Sequence, residues 1–240
     1  MVLSSSAALV HVAGRVLAAD EPSNPWFSWQ YVQDNSADLK AALIQHIELT
    51  VESVLIAVVI AFPLALLAYR FRRLAGPVLG LTGVLYTIPS LALFAFITPF
   101  DFFGLRQRTV VVGLVLYALL VLVRNMLAGL QGVPEDVRES AIGMGYGRGR
   151  MLWRVELPVA LPTIMAGVRV ATVSTVALVT VGAIIGYGGL GQLLLRGFQN
   201  NTYRAEIVTA SLLTVALGLA FDLALAGVTR LMTPWSRSRS

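Results

Sequence analysis

Five apolar runs, residues 47–69, 77–100, 109–128, 160–186 and 207–231, dominate the sequence. Each is long enough to cross a lipid bilayer, which takes about 20 residues of helix. A chain inside lipid has no water to satisfy its N–H and C=O groups, so runs of this kind fold as helices. The expected fold is therefore all-α, a polytopic membrane protein with about five transmembrane helices. With 57% hydrophobic and 13% charged residues, the chain is too apolar for a soluble domain of this size. Connections between the runs are short, except for residues 133–158, so a single transmembrane domain over residues 26–235 is expected. Residues 1–25 form a weakly apolar lead interrupted by His11 and Arg15. No basic residue precedes its apolar part, so it reads as a flexible or interfacial tail, although residues 17–20 faintly resemble a signal cleavage site. Trp26, Phe27, Trp29 and Tyr31 suit a headgroup belt, residues 36–45 read as an amphipathic approach helix, and residues 236–240 are a polar tail.

The net charge of +5 does not indicate nucleic-acid binding, because its carriers are nearly all arginines at the ends of apolar runs. If the N-terminus is outside, the inner segments hold Arg70, Arg72, Arg73, Arg124, Arg138, Arg148, Arg150, Arg154, Arg230, Arg237 and Arg239. The outer segments then hold only Arg15, Lys40, Arg106, Arg108, Arg196 and Arg204. The positive-inside rule thus puts the N-terminus outside and the C-terminus in the cytoplasm. Cysteine is absent and the two histidines, His11 and His46, stand far apart, so neither thiolate chemistry nor a histidine metal site is expected. No cofactor is expected. The spans contain no HExxH, no pair of aspartates and no Ser–His arrangement, which argues against an intramembrane enzyme. Residues 186–191 spell GxGxxG, but they follow an apolar run instead of a strand, so they read as a turn-forming glycine cluster and not a dinucleotide site.

The long connection, residues 133–158, is a polar island. Pro134 suits the first turn of a helix, where Glu135 and Asp136 complement the helix dipole. Val137, Ala141 and Met144 follow at helical spacing as one apolar stripe. Gly145 and Gly147 interrupt the helix around Tyr146. A second short helix follows, with Met151, Leu152 and Val155 on one side, and Pro158 with Pro162 is expected to stop it. Two short amphipathic helices on a glycine hinge are therefore expected between the third and fourth spans.

Within the spans, Pro63 is expected to bend the first run, and Gly76-Pro77 with Ile88-Pro89-Ser90 to interrupt the second. Tyr86, Pro89 and Ser90 are candidates to line a pathway. Arg169 lies about 10 Å from the inner end of the fourth run and Asp222 at similar depth on the fifth, at 1.5 Å per residue. A lone charge at that depth is costly, so an Arg169–Asp222 ion pair is expected, the alternative being that Arg169 reaches back to the headgroups. Glu48 and Glu52 share a face near the outer end of the first run.

The island also carries a resemblance. Glu139-Ser140-Ala141, three residues, Gly145, nine residues, Val155, one residue and Leu157-Pro158 resemble the EAA loop of ABC-importer permeases, E-A-A-x3-G-x9-I-x-L-P. Only Ser140 for Ala and Val155 for Ile depart from it. Residues 86–93, YTIPSLAL, Arg124-Asn125 and Gly188-Gly189-Leu190-Gly191-Gln192 resemble the branch that imports glycine betaine, carnitine, choline or proline betaine; methionine-importer permeases are the nearest competitor. The resemblance implies a non-catalytic subunit whose loop docks on a separate cytoplasmic ABC ATPase. It also implies a second permease subunit, identical or homologous, and an extracytoplasmic substrate-binding protein. The absence of a Walker A motif agrees with hydrolysis in another polypeptide.

Overall fold

The computed structural model describes residues 24–100 and 102–234. Nearly all of the lead, including residues 17–20, and the tail at 236–240 lie outside the described residues. The helices are α1 (Trp29–Asp34), α2 (Ser36–Arg70), α3 (Arg72–Thr87), α4 (Ser90–Ile97), α5 (Gln107–Gln131), α6 (Glu135–Gly143), α7 (Arg148–Met151), α8 (Leu157–Val179), α9 (Leu190–Gln199) and α10 (Arg204–Met232). A π-helical turn, Leu152–Glu156, joins α7 to α8, and a 3-10 turn, Thr180–Ile185, extends α8. Among the described residues there is no strand.

Four helical rods are long and apolar enough to cross a membrane: α2, α5, the rod Arg148–Ile185 and α10. The fifth expected span is a broken one. α3 and α4 meet at 96°, so the count reaches five only when this pair is taken together. The break falls at Pro89, whose missing N–H and restricted neighbour end α3 at Ile88. Pro77 does not interrupt α3; it lies early in that helix, where it forfeits one bond. The approach helix expected over residues 36–45 is not separate either, since α2 runs unbroken from Ser36 through Pro63 to Arg70.

α5 is the centre of the bundle and two-thirds buried. Along α2, Ala57, Ala61, Ala65 and Ala68 are fully buried at roughly helical spacing, and this flat stripe lets α2 lie close to α5. α8 closes on the other side. A Cβ at Gly167 would stand 2.3 Å from Asn125 Cβ, and one at Gly129 would stand 3.0 Å from the Ala160 carbonyl oxygen. Without a hydrophobic drive in lipid, such close backbone approach supplies the packing. α10 is only 11% buried along its apolar window. Buried hydroxyls inside the helices return to their own backbone, as in Thr50 to His46 O, Thr172 to Val168 O and Thr209 to Ala205 O, each at 2.7–2.8 Å.

Candidate functional site

Pro134 opens α6 with φ −57° and ψ 143°, and Glu135 and Asp136 occupy its first turn. The helix ends at a Schellman cap. Gly145 N–H donates to Ile142 O at 2.8 Å and Tyr146 N–H to Ala141 O at 3.0 Å. That geometry requires the left-handed conformation at Gly145, whose φ is +79°. Gly147 then caps α7. Ala141 is buried, but Met144 is 67% exposed, so the stripe expected from Val137 through Ala141 to Met144 turns outward at its end. The cap at residues 144–145 swings Met144 away from the bundle, and Ile142, 62% exposed, stands beside it. Glu139 and Ser140 are exposed; Ser140 Oγ donates to Asp136 O at 2.8 Å.

Pro158 and Pro162 do not stop the second helix. α7, the π-turn and α8 form one continuous rod. In the π-turn Leu157 N–H reaches back to Leu152 O, one residue further than an α-helix would reach. That wider turn lies where the Pro158 ring would otherwise crowd the preceding carbonyl. Val155, Leu157 and Pro158 are half-buried at this joint.

Four elements meet behind the elbow. Glu156 is 7% exposed and accepts a 2.6 Å hydrogen bond from Tyr69 Oη at the end of α2. Arg138 of α6 places Nε 3.2 Å from Glu156 Oε1, off the line of a good hydrogen bond, and donates from Nη2 to Leu130 O of α5 at 2.8 Å. A buried carboxylate is tolerable only with such partners. Neither spacing nor composition singles out this cluster; the one available signal is an acid at Glu156 on the same helical face as Leu152.

The opposite end of the bundle is clamped separately. His46 is fully buried, its Nε2 3.0 Å from Val176 O, and its Nδ1 accepts from Leu190 N–H at 3.3 Å. The glycine cluster wraps this ring: Gly189 has φ +52°, and a Cβ there would lie 2.6 Å from His46 Cβ. Arg196 of α9 donates to Glu206 at 2.5 Å and to Asp38 at 3.2 Å. The Glu206 hydrogen bond raises the Arg196 pKa still further above its ordinary value. Burial, with the Glu206 charge adding to it, pushes the Tyr31 phenol up to about 12. Tyr31 thus packs inward on Tyr203, ring centroids 5.5 Å apart, and leaves the aromatic belt to Trp26, Phe27 and Trp29.

Arg169 and Asp222 stand together, with Nε to Oδ1 at 2.9 Å and Nη2 to Oδ2 at 2.7 Å. Tyr86, Pro89 and Ser90 sit at the α3–α4 break. Tyr86 meets Tyr117 edge-on at 5.8 Å, and Tyr117 Oη donates to the Ile88 carbonyl at the break. None of the three lines the groove that holds Arg169 and Asp222. Glu52 meets Gln107 at 3.5 Å and Glu48 is exposed. Among the described residues no cluster of His, Asp and Glu could hold a metal ion.

A family model described as "Binding-protein-dependent transport system inner membrane component" matches residues 48–237. The choline transport system permease protein OpuBB of Bacillus subtilis (strain 168) is 33% identical over 88% of this chain and 95% of its own. The osmoprotectant import permease protein OsmW of Salmonella typhimurium (strain LT2) is 36% identical over 85% of this chain and 96% of its own. The carnitine transport permease protein OpuCB of Listeria monocytogenes is 34% identical over 85% and 92%. The fold is similar to that of the MetNI methionine ABC transporter in an inward-facing conformation, with a TM-score of 0.75 at 21% identity over 83% of this chain and 98% of that one. By the family model and these relatives together, this chain belongs to the inner-membrane components of binding-protein-dependent transport systems.

Proposed function

We propose that this chain is the non-catalytic permease subunit of an ATP-driven importer of quaternary-ammonium osmoprotectants such as glycine betaine, carnitine, choline and proline betaine. The observation that carries the reading is the elbow at residues 133–158: the exposed helix α6 is held by the Gly145 cap at a fixed angle to α7, which is continuous, through the π-turn, with a membrane-crossing rod. Exposed Ile142 and Met144 give an ATPase subunit an apolar edge to grip, and Glu139 gives it a charge-assisted contact. Ser140, Ala141, Val155, Leu157 and Pro158 hold that edge in place. In this reading the elbow and the C-terminus are cytoplasmic, the N-terminus is outside, and the His46 end faces a substrate-binding protein. A second permease subunit completes the pathway. The osmoprotectant assignment rests on the names of relatives near one-third identity. The likeness to the methionine transporter, at 21% identity, speaks for the fold only.

The test is co-purification. The wild-type chain is expected to retain its ATPase subunit in detergent, and Gly145→Trp and Glu139→Arg are expected to lose it while remaining folded. Retention of both ATPase binding and uptake by the two variants overturns the coupling role.

A further inference from the structure

The Arg169–Asp222 pair is only partly covered. The two side chains are 36% and 33% exposed, and they open onto a groove of about 760 Å³ between α8 and α10. Val170, Val173, Val215 and Leu219 form apolar walls, with Ser174 and Gly218 between them. A charge pair exposed at membrane depth needs water, a ligand or a polar group of the second permease subunit beside it, because lipid offers neither a hydrogen bond nor a countercharge. The geometry of the pair also leaves capacity over. Asp222 takes the side edge of the guanidinium, Nε and Nη2. Arginine carries five N–H donors in a planar fork, so the end edge, Nη1 with the second Nη2 proton, stays unused among the described residues.

We propose that this end edge is a transit site for the carboxylate of a small zwitterion, with its methylated ammonium lying over Asp222 and the valine walls. Asp222 locks the guanidinium plane and keeps the site neutral, so a net-neutral solute meets a net-neutral pair and neither partner strands a charge in the bilayer. A fork receives a carboxylate in two parallel hydrogen bonds, which a lysine ammonium cannot reproduce. The groove has no aromatic ring among its lining residues, so the ammonium is held loosely and the carboxylate provides the selectivity. A cation without a carboxylate, such as choline, gains nothing from the free edge. The inference rests on the osmoprotectant reading and narrows it to this site.

The experiment uses the complete transporter, with its ATPase and binding protein, in proteoliposomes, and compares uptake of glycine betaine, carnitine and choline. Arg169→Lys keeps the ion pair but not the fork. It is expected to lower kcat/KM for glycine betaine and carnitine roughly tenfold or more while choline uptake stays within about twofold. Asp222→Asn, which unlocks the guanidinium, is expected to shift the same ratio in the same direction. Assembly of both variants with the ATPase is checked by co-elution. Equal loss for all three solutes, no loss for any, choline uptake alone by the wild type, or loss of assembly overturns the site. A wild type that transports none of the three overturns the osmoprotectant reading itself.

Discussion

At the residue scale, a few positions have no substitute. Gly145 holds φ +79° with open space around it, so a side chain there meets no neighbour and costs only backbone strain. Two residues earlier, Gly143 also faces open space but is the last residue of α6, with no positive φ. Gly145→Ala is therefore expected to destabilise the elbow by about 1–2 kcal/mol. Gly143→Ala is expected to stabilise α6 by up to about 1 kcal/mol. Hydrogen exchange of the α6 amides, slower in one variant and faster in the other, checks the pair. Gly145 was readable from sequence because a glycine between two helical patterns has few other uses. Glu156 was not, because its partners lie on α2 and α6, and one-dimensional spacing carries no information on which helix ends converge.

At the scale of elements, proline was the misleading signal. Pro89 breaks the second span, but Pro158 and Pro162 sit inside a helix that continues. The difference is local: a π-turn precedes Pro158 and widens the backbone, whereas Ile88 before Pro89 is extended at ψ 126°. Sequence pattern fixed the apolar runs well because lipid enforces helices, but it could not show that the elbow's second helix and the fourth span are one piece. The cluster of Tyr69, Glu156 and Arg138 ties that piece to α2 and α6. Tyr69→Phe removes the hydrogen bond to a buried carboxylate and is expected to cost about 1–3 kcal/mol. A lower Tm of the detergent-solubilised protein, with a combined loss smaller than the sum of the two single losses when joined with Glu156→Gln, is the expected result of a double-mutant cycle.

For the whole molecule, polar clusters gather at two ends, with the Arg169–Asp222 pair between them. Tyr69, Leu130, Arg138 and Glu156 gather at one, and Asp38, His46, Gly189, Arg196 and Glu206 at the other. With no native cysteine, single-cysteine variants report the orientation directly. Trp29→Cys, at an exposed position, is expected to react with a membrane-impermeant thiol reagent in intact cells. Ile142→Cys is expected to react only after the membrane is opened. The reverse pattern removes the elbow from the cytoplasm.

The rod Arg148–Ile185 has 38 residues and no break. At 1.5 Å per residue it is roughly 57 Å long. Were the proposed ATPase coupling to turn it about the Tyr69–Glu156 joint, it would act as a crowbar: each degree at the elbow would displace the distant end of the long arm by roughly 0.8 Å. Asn125 wedged against Gly167 lies along that arm, and a Cβ at Gly167 would stand 2.3 Å from Asn125 Cβ, so bulk added there should push α8 off α5.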